Sequence, residues 1–285
     1  MTYPSPLRYP GSKKKLTSFI QDIIECNGLL GGTYIEPFAG GASVALYLLY
    51  TEYVNSIIIN DIDRSIYAFW FSVLNDTENL CRLIRDTAVS VDEWDKQKKI
   101  QENKSDCTFL ELGFSTFFLN RTNRSGIIKG GIIGGRTQTG NWKIDCRYNK
   151  DDLIKRIEKV ALYANRIELY NQDAIDFVTT IYPHLDESAF IYFDPPYYNQ
   201  GAALYANFYT HESHKKLSEF IQGLDCKWML TYDYTPDIID LYRNVEKRLL
   251  TLSYTAAQKV KGCEMIAFCD DFIVPKGKYS AVTIE

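Results

Sequence analysis

Residues 189–197 read Ala-Phe-Ile-Tyr-Phe-Asp-Pro-Pro-Tyr, an apolar run from Ala189 to Phe193 closed by a carboxylate, two prolines and an aromatic ring. A short apolar run of this kind predicts a strand buried on both faces. It puts Asp194 at the carboxyl end of that strand, where open α/β sheets bind their ligands. Pro195 and Pro196 lack a backbone N–H and hold φ near about −65°, so the turn offers carbonyl acceptors and few donors. Such a turn suits an incoming –NH2 group. Tyr197 adds a π face on which a planar base can stack, a contact worth roughly 1–3 kcal/mol. Read this way, its ring matters and its hydroxyl is dispensable. The same residues would equally form a rigid strand-to-loop turn with a solvent-facing Asp.

Working outward, Thr33 to Glu36 reads as a strand, followed by Pro37-Phe38-Ala39-Gly40-Gly41 and a helical stretch from Ala42 to Tyr50. Ser56 to Asn60 is a second, β-branched strand that ends in Asp61-Ile62-Asp63. Together they predict a βαβ unit with an acid about 20 residues beyond a glycine turn, an order that suits nucleoside binding. The glycines permit close backbone approach at a helix N-terminus, and Asp61 can accept hydrogen bonds from ribose hydroxyls. A full GxGxxG is absent, so a plain tight turn fits the glycines as well.

From Arg64 to Leu119 the apolar spacing is helical, over 65–74, 78–87, 91–99 and 109–119, which predicts an inserted helical subdomain. Residues 120–148 are glycine-rich and aperiodic, a loop region or hairpin. The pattern then returns to a helix over 151–163 and to strands over 166–170, 189–193, 227–232, 247–253 and 265–268, with helices at 212–222 and 237–242. Between Ser115 and Lys150 stand Arg121, Arg124, Lys129, Arg136, Lys143, Arg147 and Lys150 against a single acid, Asp145, in a chain whose net charge is −4. A basic segment on an acidic body is the footprint of a polyanion partner, although a solvated basic loop has the same composition.

With 285 residues, 46% of them hydrophobic, the chain has ample core material for one large α/β domain or a domain with an insertion. No run reaches the roughly 18 apolar residues of a membrane span, and Met1 to Lys15 lead into no apolar signal core, so a cytoplasmic protein is expected. Seven cysteines without a CxxC pair fit reduced thiols. His211 and His214, three apart and without nearby cysteines, read as the first turn of a helix, and no metal is expected.

Taken in order, these motifs resemble the Dam-like class of DNA adenine methyltransferases over nearly the whole chain. Arg8-Tyr9-Pro10-Gly11-Ser12-Lys13 is similar to that class's N-terminal motif, in which the aromatic and the lysine contact S-adenosylmethionine. Glu36 to Gly41 is similar to the glycine turn under the methionine part of the cofactor, and Asn60-Asp61-Ile62-Asp63 to the acidic step that holds the ribose. Asp194-Pro195-Pro196-Tyr197 is similar to the catalytic turn. Departures are Tyr9 where tryptophan is frequent, Pro10-Gly11-Ser12 in place of a small-glycine-glycine turn, and the isoleucine- and glycine-rich stretch from Ile127 to Asn141.

The resemblance implies a Rossmann-like methyltransferase mixed sheet flanked by helices. Residues 1–70 and 165–285 would form the cofactor-binding catalytic domain and 71–164 a mainly helical target-recognition subdomain. It implies methyl transfer from S-adenosylmethionine, leaving S-adenosylhomocysteine, to the 6-amino group of an adenine flipped out of double-stranded DNA; a monomer in solution is expected, although the sequence itself carries no signal of oligomeric state. The expected catalytic residues are Asp194, Pro195, Pro196 and Tyr197. The expected cofactor contacts are Tyr9, Lys13, Glu36, Phe38, Gly40, Asp61, Ile62, Asp173 and Asp194. Candidate DNA contacts are Asn120, Arg121, Arg124, Arg136, Asn141, Arg147 and Tyr148, because arginine reads guanine edges or phosphates and asparagine reads adenine. Alternatives are methylation of the cytosine amine or of adenine in RNA, and a catalytically idle DNA-binding relative.

Overall fold

β-branched and aromatic side chains that leave no polar face build the middle of the sheet: Phe190, Ile191, Tyr192 and Phe193 are all buried, as are Tyr34 and Ile35 beside them. The computed structural model of the chain describes residues 4–9, 11, 13–198, 209–253, 261–276 and 282–284. Its strands are β1 (Thr33–Glu36), β2 (Ser56–Asn60), β3 (Ile167–Tyr170), β4 (Phe190–Phe193), β5 (Lys227–Asp233), β6 (Lys247–Ser253), β7 (Lys261–Phe268) and β8 (Val282–Ile284). They form one sheet in the order β3-β2-β1-β4-β5-β7-β6-β8. The first five are parallel, and β7 enters antiparallel between β5 and β6. The expected mixed sheet flanked by helices is thus the observed one.

Strand order reverses between β1 and β4, paired at Tyr34↔Phe190 and Ile35↔Ile191. A crevice opens there beyond the carboxyl ends of both strands, which is where such sheets take ligands. The helices in chain order are α1 (Thr17–Cys26), α2 (Ser43–Tyr50), α3 (Arg64–Asn75), α4 (Thr77–Asp86), α5 (Val91–Glu102), α6 (Phe109–Thr122), α7 (Lys150–Ala161), α8 (Ala174–Ile181), α9 (His211–Gln222) and α10 (Pro236–Leu241). Helices α1 and α8 were not anticipated. Both are short and amphipathic, burying Phe19, Ile20, Ile23 and Ile24 in the first and Phe177, Val178 and Ile181 in the second.

Helices α3 to α7 lie between β2 and β3. Helix α6 begins with a capping box in which Thr108 and Glu111 satisfy each other's backbone N–H groups. It then runs buried from Leu112 to Thr122. Gly113 lets α6 press against α3, because a Cβ there would stand 2.5 Å from the carbonyl oxygen of Ala68. Among the described residues no helix is long and apolar enough to cross a membrane.

The end of α6 fastens this insertion to the N-terminal segment. Asn120, 1% exposed, accepts from Arg8 N–H at 2.8 Å and donates to the carbonyls of Arg8 at 2.7 Å and Gly126 at 2.8 Å. Gly126 sits at φ +79°, and a Cβ there would meet Arg8 O at 2.3 Å. A buried group that loses its partner costs about 1–3 kcal/mol. Asn120→Ala is therefore expected to lower unfolding free energy by about 3 kcal/mol in urea, with an unchanged m-value. An equally stable variant that binds DNA less tightly would instead return Asn120 to the interface.

Candidate active site

The glycine turn after β1 owes its shape to two neighbours. Gly40 has φ +45°, and a Cβ there would lie 2.6 Å from the ring of Tyr9, so Tyr9 rests directly on the turn. Beneath it, Asp61 accepts from Gly40 N–H and from Asp63 N–H, both at 2.9 Å. From the insertion, Trp70 Nε1 donates to Gly40 O at 2.9 Å. Asn60 ties the turn to the next strand end by donating to the carbonyls of Pro37 at 2.9 Å and Gln172 at 3.0 Å.

Two acids here are held out of their ordinary range. Burial pushes the Asp61 carboxyl up to about 7, against the pull of the Asp63 and Gly40 amides and of Lys104. Burial likewise pushes Glu36 up to about 8, although Ala45 N–H donates to its Oε1 at 3.2 Å. Desolvation favours the neutral carboxylic acid, and a cation brought alongside would favour the carboxylate.

At the end of β4, Asp194 meets the N-terminal segment. Lys13 Nζ lies 2.7 Å from Asp194 Oδ1 and 3.0 Å from Oδ2, and it also donates to Tyr197 Oη at 2.8 Å and Gly11 O at 3.3 Å. Thr231 of β5 donates to Asp194 Oδ1 at 2.9 Å and is itself hydrogen-bonded to Tyr192 Oη at 2.8 Å. Tyr197 Oη donates to Glu264 Oε1 at 2.6 Å, and Glu264 Oε2 stands 3.8 Å from the Lys13 ammonium. Burial works against the Lys13 charge, but Asp194 and Glu264 outweigh it and hold its pKa above the usual lysine value.

One cleft joins the two turns. Its walls include Tyr9, Lys13, Glu36, Phe38, Asp61 and Ile62 on the glycine side, and Tyr192, Asp194, Pro196 and Tyr209 on the other. Lys13, expected at the cofactor, lines this cleft and is hydrogen-bonded to Asp194 within it. Asp173 caps α8 by accepting from Ile175 N–H at 2.9 Å and is not on the cleft wall. Pro10 and Ser12 of the N-terminal motif lie outside the described residues. The Tyr197 hydroxyl, expected to be dispensable, joins Lys13 to Glu264.

Sequence reading missed Glu264, Thr231 and Tyr209. For Glu264 a signal existed, a lone acid directly before the apolar run Met265-Ile266-Ala267-Phe268. His211 and His214 face tyrosines: His214 Nδ1 is 2.5 Å from Tyr232 Oη, and His211 Nδ1 is 3.1 Å from Tyr198 Oη.

Three of the DNA-contact candidates, Asn120, Arg121 and Tyr148, are interior rather than on the surface. Asn120 is occupied as described above. Arg121 is buried with Nε on Arg147 O at 3.0 Å, and burial, with Arg156 and Arg8 nearby, pushes its guanidinium down to about 10. Tyr148 packs between Phe117 and Phe118 with ring centroids 5.5 Å from each. In contrast, Arg124, Arg136, Asn141 and Arg147 are exposed. Arg136 is held by Asp95 in a two-point pair at 2.8 and 2.7 Å. Arg147 lies over the ring of Trp142, which is 68% exposed.

The sheet order with its antiparallel β7, and a cleft shared by the glycine turn and the Asp-Pro-Pro-Tyr turn, define a Rossmann-like methyltransferase. Residues 9–257 match the family described as D12 class N6 adenine-specific DNA methyltransferase, and the chain belongs to that family. It is thus a DNA adenine methyltransferase, which decides against the cytosine and RNA alternatives. Similar proteins include the Type II methyltransferase M.MjaIII of Methanocaldococcus jannaschii, 27% identical over 258 residues that cover 81% of this chain and 84% of the relative. The Type II methyltransferase M.CviBI of Paramecium bursaria Chlorella virus NC1A is 24% identical over 225 residues, 74% of this chain and 76% of the relative. A crystal structure of protein LPL1258 from Legionella pneumophila covers 91% of this chain and 86% of its own at TM-score 0.33 and 8% identity, a likeness that carries no argument.

Methyltransferases of this family generally draw on S-adenosylmethionine, a cation. Binding a cation should therefore draw a proton off Asp61, so affinity is expected to rise with pH. From pH 6 to pH 8.5 a group titrating near 7 gives about a tenfold tightening. Calorimetric titration of the wild type and Asp61→Asn across that range checks it. The variant should lose the tenfold increment, and identical pH profiles would remove Asp61 from the cofactor site.

Proposed function

We propose that this chain methylates the 6-amino group of an adenine extruded from double-stranded DNA, with Asp194 and the Pro195 carbonyl as the groups that receive the amine. The observation that carries the reading is that Asp194 and the acids of the glycine turn line one cleft. Its donor set fits the cofactor: apolar and aromatic walls at Phe38, Ile62 and Val44 suit a purine, and Glu36 and Asp61 suit ribose hydroxyls and a positive charge. Tyr9, Glu36, Phe38, Gly40, Asp61 and Ile62 would hold it. When bound, S-adenosylmethionine supplies an electrophilic methyl group.

An adenine amine is a poor nucleophile, because its lone pair is delocalised into the ring. Asp194 Oδ and Pro195 O, each accepting one N–H, favour a more tetrahedral nitrogen with its lone pair aimed away from both acceptors. The amine must replace Lys13 on Asp194, and Lys13 keeps Tyr197 and Glu264 as neighbours. After transfer the nitrogen carries one proton too many, and the Asp194 carboxylate is the adjacent acceptor. Tyr197 stacks on the base, and base extrusion is needed because the nitrogen is unreachable inside a duplex.

Residues 71–164 serve as the target-recognition part in this reading. Arg124, Arg147, Lys129 and Lys143 meet phosphate, and Asn141 is exposed on the same segment, where Arg136 would have to leave Asp95 to join them. Exposed Trp142 and the cations around it support that placement. The relatives' description as Type II methyltransferases supports a role beside a restriction enzyme.

Asp194→Ala is expected to lower the single-turnover rate by about a thousandfold or more while DNA affinity changes little. Weakened DNA binding with an unchanged rate would reverse the assignment. For the basic segment, the slope of log binding constant against log salt should flatten by about 0.9 for each lost phosphate contact in Arg124→Ala, Lys143→Ala and Arg147→Ala combined. An unaltered slope would move the footprint to another face.

A further inference from the structure

Glu264 is a buried acid to which the chemistry above gives no role beyond neighbouring Lys13. It lies on β7, opposite Asp233 of β5 and Leu250 of β6, and is 3% exposed. The residues that follow it, Met265 to Phe268, are all apolar and buried. A sheet interior gains nothing from a carboxylate there, because desolvating an anion is costly unless geometry and hydrogen bonds offset it. What Glu264 faces is the reaction centre: Tyr197 Oη at 2.6 Å and the Lys13 ammonium at 3.8 Å.

The directions of these bonds are fixed by chemistry. Lys13 has three N–H donors and no acceptor, so at 2.8 Å it donates to the tyrosine oxygen. Tyr197 then has one proton to give, and it goes to Glu264. The ring is thereby held by its hydroxyl end, with Lys13 Nζ 2.8 Å from that oxygen and 5.0 Å from the ring centroid. Two carboxylates, Asp194 and Glu264, share one lysine. When a substrate amine takes the Asp194 oxygens, the displaced ammonium would be left among neutral acceptors if Asp194 were the only acid.

We propose that Glu264 is a positioning residue for methyl transfer, anchoring the Tyr197 ring through its hydroxyl and receiving Lys13 when the substrate amine displaces it from Asp194. The inference rests on the assignment of Asp194 and Tyr197 to the amine-handling turn. It makes Tyr197→Phe harmful although stacking survives, and Glu264→Gln harmful although shape survives.

The test is single-turnover methylation by Glu264→Gln, Tyr197→Phe and the double variant, with Asp194→Ala as reference and thermal unfolding run on each. A hydrogen bond to a charged group removed from the transition state should slow each single variant by about tenfold or more. Dissociation constants for S-adenosylmethionine and DNA should stay near those of the wild type. The double variant should be slower than either single one by much less than the product of their effects, since Glu264→Gln strips the charge from, and Tyr197→Phe removes, the same hydrogen bond. Fully multiplicative losses, or a folded Glu264→Gln that transfers at the wild-type rate, would overturn the proposal. If Glu264→Gln fails to fold, Tyr197→Phe decides alone, and a wild-type rate there overturns it. An active Asp194→Ala would instead sink the reading of the turn itself.

Discussion

The ion pair between Lys13 and Asp194, residues 181 positions apart, is the contact on which this site depends. Taking two charges out of water is expensive, and mutual attraction alone rarely repays it. Here extra hydrogen bonds close the balance: Lys13 also reaches Tyr197 and Gly11, and Asp194 also receives Thr231. The result is a carboxylate whose direction is set before any substrate arrives. Preorganised acceptors of that kind avoid reorganisation at the moment of reaction. The same pair holds the N-terminal segment against the end of β4, so the aromatic that covers the glycine turn and the acid proposed to receive the amine are linked by one stretch of chain.

The helical insertion is coupled to that stretch by equally specific bonds. Trp70 of α3 holds Gly40 O from one side, and Asn120 at the end of α6 grips Arg8 from the other. Arg8 immediately precedes Tyr9. The end of α6, where the basic segment begins, is therefore joined by hydrogen bonds to the residues next to the cleft. Buried polar links of this type fix a single arrangement more sharply than apolar packing does, because each has one geometry that satisfies it.

Much of this was legible in sequence because it rests on local pattern. The bounds of β1 and β2 follow from β-branched runs flanked by turn residues, and β4 from the run ending at Asp194. The DNA candidates divide according to a property that sequence does not carry, which is where tertiary packing puts a polar residue. Asn120 and Arg121 open the basic segment but belong to the last turn of a buried helix, and Tyr148 closes it against Phe117 and Phe118. Arg124, Asn141 and Arg147, on the intervening loop, stay outside. Lys13 was recognised as functional, but its partner was hidden by chain separation. Glu264 was hidden by its strand, whose apolar pattern was read from the following residue.

The most direct test of the central claim is a crystal structure of the chain with a duplex it methylates and a non-reactive analogue of S-adenosylmethionine. The account predicts an extruded adenine whose amino nitrogen lies within hydrogen-bond reach of both Asp194 and the Pro195 carbonyl, with Lys13 moved toward Glu264. An adenine still stacked in the duplex, or an amine bound away from Asp194 with the Lys13 pair intact, would contradict it.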